Sequence, residues 1–166
     1  MDNVTEYLAS MIIVGICATL VMDVWSWLRQ QLLGVAPPNY AMVGRWLLHM
    51  GHGQFRHTVI AASPAMPGEK AVGWLAHYLT GPVFAGVLLG IAGQGWIDRP
   101  TLAPALLVGI STVTAPFLLM QPGMGAGIAA SRTPAPNTAR LQSLLTHAIF
   151  GIGLYLGGWV SHGMQG

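Results

Sequence analysis

Charge is what this sequence has least of. Of 166 residues, seven are Lys or Arg and five are Asp or Glu, 7% of the chain, against about 25% in an average soluble domain. So few charges cannot cover a water-facing globule, which excludes a soluble enzyme and a disordered segment. The net charge of +2 is too sparse for counterion-driven binding, so nucleic acid is not expected as a partner. Cysteine is nearly absent as well. Cys17 stands alone, so an intramolecular disulfide is excluded. There is no HExxH, no Glu-x-x-His pair at helical spacing and no tandem repeat of solenoid length. The run Gly123-x-Gly125-x-Gly127 has no strand before it and is not a nucleotide loop.

What fills the chain is apolar: 53% of the residues, with a mean hydropathy of +0.57. Four stretches reach the roughly 20 residues that a helix needs to cross a bilayer. They run over residues 8–33, 72–96, 102–120 and 141–159. Pro37-Pro38, Asp98-Arg99-Pro100 and the Pro-rich segment from Thr133 to Asn137 separate them. Backbone amides in lipid must be satisfied within the segment, so the spans are helices. The expected architecture is an all-α, polytopic four-helix membrane bundle in one domain. The first span differs from a signal peptide, because Asp2 and Glu6 precede it and no Lys or Arg does. Trp25, Trp27, Trp74, Trp96 and Trp159 fall near span ends, where aromatic belts form.

Orientation follows from the basic residues. Arg29, Arg45, Arg56, Lys70, Arg132 and Arg140 flank one side and only Arg99 the other. The positive-inside rule then puts the loops 34–71 and 121–140 in the cytoplasm and both termini outside. Within the first loop, residues 40–50 carry Val43, Trp46, Leu47 and Met50 on one helical face, which predicts a short interfacial helix. Pro104, Pro116 and Gln121-Pro122 interrupt the third span. A helix continued from Leu102 to Ser131 would be about 45 Å long, more than the bilayer core, so a break is expected near Gln121-Pro122. Small residues recur four apart at Gly86/Gly90, Gly123/Gly127 and Gly153/Gly157. Such spacings serve close packing within one chain or in a homo-oligomer.

Three titratable groups stand inside spans: Asp23, His77 and His147. Each is six or seven residues from a cytoplasmic basic anchor, hence about 10 Å inward at 1.5 Å rise per residue. Ionisable groups in lipid face the protein interior and mark functional sites. Gly15, Thr19, Asp23, Ser26 and Gln30 form a small or polar stripe on the first span, and Ser143, His147, Gly151 and Tyr155 one on the fourth. The loops add His49, His52, His57, Glu69, Gln121 and Arg132 on the same side.

Several chemistries fit this cluster. Asp23, His77 and His147, assisted by His49 and His57, suit a transition metal, or a bis-histidine haem b between the second and fourth spans. Arg45, Arg56, Gln121 and Arg132 suit an anionic substrate, as in a small transporter with a discontinuous helix. A proton relay through Asp23, His77 and His147 would serve a proton-coupled carrier. A structural or assembly protein is the fourth reading, with these groups cross-linking helices by hydrogen bonds. The partner common to all is the lipid bilayer.

Two blocks of motif carry a family resemblance. Asn39-Tyr40, Gly44-Arg45-Trp46, His49, Phe55-Arg56-His57, Gly73-Trp74 and His77-Tyr78 form the first. Gln121-Pro122, Gly125-Ala126-Gly127, Ala130 to Pro134 and Leu144 to Tyr155 form the second. Together they resemble a bacterial family of small four-helix inner-membrane proteins known as a domain of unknown function, over nearly the whole chain. The resemblance implies four spans in a bacterial cytoplasmic membrane. It implies no activity, substrate or cofactor.

Overall fold

A computed structural model describes residues 3–165. Asp2, one of the two acidic residues ahead of the first span, lies outside the described residues. The described chain is helical, with α1 Asn3–Leu33, α2 Tyr40–Met50, α3 Glu69–Ala92, α4 Leu102–Ser111, α5 Gln121–Met124 and α6 Pro136–Gln165. No strand occurs among the described residues. Four segments are long and apolar enough to cross a membrane: Val4–Leu33, Glu69–Ala92, Leu102–Met124 and Pro136–Gln165. Their surfaces agree with that. Leu8, Ile12, Ile16, Leu20 and Val24 of α1 are all exposed, as are Leu75, Leu79, Val83, Val87 and Ile91 of α3. Each set repeats every four residues, an apolar stripe that water would not tolerate at this length.

Two bounds differ from the sequence expectation. The second helix stops at Ala92 rather than 96, because Gly93 turns left-handed (φ 83°) into a 3-10 turn over Gln94–Trp96. Trp96 then leaves the expected aromatic belt and is buried, its indole N–H donating to the Thr101 carbonyl at 3.3 Å. In the third span the irregularity begins earlier than Gln121. Regular helix ends at Ser111, Pro116–Met120 forms a π-helical turn, and α5 carries the chain to a left-handed Gly125 (φ 95°). A π turn accommodates the proline that would otherwise break the ladder.

The chain divides into two compact units. The first comprises Met1–Pro37, Tyr78–Thr112 and Leu145–Gly166. Its core includes Val14, Ala18, Leu88, Leu89, Phe150 and Leu154. Glycine sets how closely its helices approach. A Cβ on Gly15 would overlap the backbone of Gly81 and Pro82, and one on Gly109 would overlap Gly151. A Cβ on Gly153 would lie 2.7 Å from Ala18 Cα, and one on Gly157 2.8 Å from the Val14 carbonyl oxygen. The Gly153/Gly157 spacing therefore packs α6 on α1 within one chain.

The second unit comprises Pro38–His77 and Val113–Leu144. Here α2 crosses the start of α3 at Gly44 and Gly73, where either Cβ would strike the other helix's backbone. Gly123 lies against the Trp46 indole, and the His57 amide donates to the Gly123 carbonyl at 2.8 Å. The α5 segment is thus fastened to both α2 and the loop after it.

Candidate functional site

Helix α2 forms over the expected residues, started by Asn39, whose side chain accepts from the Ala41 amide at 3.2 Å. Its buried residues are Gly44, Arg45 and His49. The apolar face expected to lead its packing is only half-buried. What the second unit encloses is polar. Arg45 donates from Nε and Nη2 to the two Glu69 carboxylate oxygens, both at 2.8 Å. Its Nη1 donates to the Ser63 carbonyl at 3.0 Å and the Ala61 carbonyl at 3.4 Å. The side chains of this ion pair are 10% and 17% exposed. Fork-on-fork geometry makes such pairs specific as well as strong. Glu69 also accepts from the Met66 amide at 3.0 Å.

Two histidines complete this polar core. His49 Nε2 bonds the Pro64 carbonyl at 3.0 Å, and His57 Nδ1 bonds Ser63 Oγ at 2.8 Å. The carbonyl fixes His49 as donor at Nε2, whereas Ser63 can play either role towards His57. The two rings meet edge-on with centroids 5.0 Å apart. Burial, then the neighbouring His49, push the His57 pKa below its ordinary value, with a smaller opposing contribution from the Gln54 carbonyl. Burial thus favours the neutral form of His57. Its Nε2 is buried without a hydrogen-bond partner among the described residues, and so is Oε1 of Gln121. Around them the backbone is irregular: after Gly125, Gly127 has φ 75° and the consecutive Ala129 and Ala130 have φ 47° and 58°. Left-handed non-glycine residues are strained and gather at functional sites.

The three titratable groups within spans each have a hydroxyl partner. Asp23 accepts from Tyr78 Oη at 2.7 Å in the first unit. His147 Nδ1 meets Thr112 Oγ1 at 2.8 Å, also in the first unit. His77 Nε2 meets Tyr40 Oη at 3.1 Å in the second, where the two rings stack with centroids 4.2 Å apart. Among the described residues no three of His, Cys, Asp and Glu come together to hold a metal. Of the residues expected to hold a metal, His49 and His57 are in ring contact.

Of the expected anion-binding residues, Arg45 is occupied by Glu69. Arg56 and Arg132 are exposed, and Gln121 contributes the unpartnered amide oxygen. Glu69 as the partner of Arg45 and Tyr78 as that of Asp23 went unnoticed in the sequence. A clue existed for the first pair: a charge in a folded loop needs a counter-charge, and Glu69 is the only acid between Asp23 and Asp98.

No curated protein and no solved structure matches the chain. One family description does, over residues 12–161: protein of unknown function (DUF2938).

Proposed function

The chain belongs to the DUF2938 family, whose function is unknown, and on that premise we propose a small-solute-binding protein of the bacterial cytoplasmic membrane. In this reading the four apolar helices form a transmembrane bundle with both termini outside and α2 lying at the cytoplasmic interface. The six-to-one distribution of basic residues supports the orientation. The solute enters the polar core of the second unit from the cytoplasm and is held by His57 and Gln121. One observation carries this: His57 Nε2 and Gln121 Oε1 are buried with no partner among the described residues, while Arg45, Glu69 and His49 of the same unit are bonded. A buried polar atom left unpaired costs about 1–3 kcal/mol, which a bound partner recovers. Gln121 Oε1 needs a donor, and an imidazole nitrogen such as His57 Nε2 can donate or accept according to its tautomer. The chemistry suits a small solute bearing N–H or O–H groups, such as an amide, a polyol or an amino acid.

A carrier is the second reading. It rests on the sequence of π turn, left-handed Gly125 and left-handed Ala129-Ala130, a discontinuity of the kind that lines transporter sites.

The test is thermal unfolding of detergent-purified protein against a panel of such solutes, for wild type, Gln121→Leu and His57→Phe. A solute that raises the wild-type midpoint and leaves both variants unmoved is the expected result. If both variants are more stable than wild type and no solute distinguishes them, the binding reading fails. Uptake of the active solute into proteoliposomes then separates carrier from binding protein.

A further inference from the structure

A second set of orphaned polar atoms lies in the first unit. Trp25 Nε1, Ser26 Oγ and Arg29 Nε are all buried, and none has a hydrogen-bond partner among the described residues. At 100° per residue these positions span a single face of α1 roughly 100° wide. The Arg29 guanidinium carbon lies 5.9 Å from the centroid of the Trp25 ring, so two of the three side chains are in contact. An indole N–H and a guanidinium N–H only donate, and a serine hydroxyl is free to donate. Three donors thus share one face of α1, and no acceptor among the described residues serves them.

The charge is equally uncompensated. Among the described residues no ion pair is recorded for Arg29. The nearest acid on its own helix, Asp23, is six residues back and accepts from Tyr78. The end of α1 does not serve these donors: its last turn carries no basic residue, and the Arg29 and Gln30 carbonyls already accept from the Val35 and Gly34 amides.

We infer that Trp25, Ser26 and Arg29 form an oxyanion site that takes a phosphate group, borne by a lipid headgroup or by a soluble phosphate. A guanidinium beside neutral donors matches a tetrahedral anion with several acceptor oxygens, and the half-buried setting strengthens the pairing. Both sources present the same group to the same donors. They differ in whether acyl chains come with it.

The experiment uses the full chain in detergent, stripped of co-purified lipid. Dioleoylphosphatidylglycerol is titrated by native mass spectrometry, with dioleoylglycerol as the phosphate-free control, and inorganic phosphate is titrated by calorimetry. Arg29→Gln is compared with Arg29→Lys, which keeps the charge but lacks the fork. The expected result is preference for the phosphate-bearing lipid over its control, weakened about tenfold or more in Arg29→Gln. Tight inorganic phosphate binding with the same loss would assign the site to a soluble anion. If Arg29→Gln does not fold, Ser26→Ala and Trp25→Phe each remove one donor and should weaken binding several-fold. Equal binding by wild type and the folded variants, or no binding of either probe by wild type, overturns the assignment.

Discussion

The seam between α6 and α1 makes the sharpest demand on sequence. A methyl group on Gly157 would sit 2.8 Å from the Val14 carbonyl oxygen and 2.9 Å from its Cα, and one on Gly153 2.7 Å from Ala18 Cα. Carbon atoms prefer separations of about 3.5–4.0 Å, so each alanine falls short by roughly 1 Å. The atoms it meets are backbone, and both Val14 and Ala18 are fully buried. Relief requires α6 to move off α1, loosening the fully buried Leu154 as well. Overpacking of this kind costs about 1–3 kcal/mol. Alanine regains about 0.5–1 kcal/mol over glycine as a helix former, leaving a net loss of about 1 kcal/mol at the middle of both ranges and at most roughly 2.5 kcal/mol for each substitution. The double variant should cost less than the sum, because one displacement of α6 relieves both contacts. Gly90 is the internal control: it is in α3 with nothing within 4 Å of its missing Cβ. There the propensity gain stands alone, and Gly90→Ala should stabilise. Dodecyl sulfate titration in mixed micelles, followed by helical circular dichroism, measures all four variants. Gly157→Ala as stable as wild type, or Gly90→Ala as damaging as Gly157→Ala, would refute the reasoning.

Three further outcomes are expected. Because His57 has a lowered pKa in the folded protein, the unfolded chain binds its proton more readily. Its contribution to stability is complete above the unfolded value of about 6.5 and declines as pH falls from there towards the folded value; His57→Gln should flatten that part of a stability profile measured between pH 5 and 7.5. Gly125→Ala places a side chain at φ 95° and against the Thr58 carbonyl, so it should destabilise by more than about 1 kcal/mol and speed proteolysis of the 121–132 segment. Tyr78→Phe removes the 2.7 Å hydrogen bond to Asp23 and should cost about 0.6–1.7 kcal/mol in the same micellar titration, the range for bonds between membrane helices.

The four apolar helices were legible because length and hydropathy suffice to find them, and α2 because its cap and periodicity are local. What escaped was non-local. Periodicity assigns α2 an apolar face through Val43 and Trp46, yet it buries Arg45, whose partner Glu69 is 24 residues away. Depth alone groups Asp23, His77 and His147, but it does not point to the Tyr78, Tyr40 and Thr112 hydroxyls that bond them; a hydroxyl reaching a titratable group from another helix leaves no fixed spacing in a sequence. The second helix was read too long because Trp96 and Ile97 extend the apolar run, although both are buried after the left-handed Gly93. The three small-residue spacings looked alike and are not. Only Gly153/Gly157 is a seam between helices, whereas Gly86 faces the flexible end of Met11, Gly90 faces nothing and Gly123 receives Trp46.

The first unit is assembled from three stretches of chain, the last beginning at Leu145. Val14 therefore meets Gly157 only after 143 further residues have been made, a wait of roughly 7–30 s at about 5–20 residues per second. Throughout that time the groove on α1 that α6 will fill stands open, with Ser10 lacking the Ser161 and Gln165 groups that later bond it. Biogenesis thus has a built-in vulnerable interval. A chain that stops before its last helix would leave Ser10 without those partners and the Val14–Ala18 face of α1 uncovered.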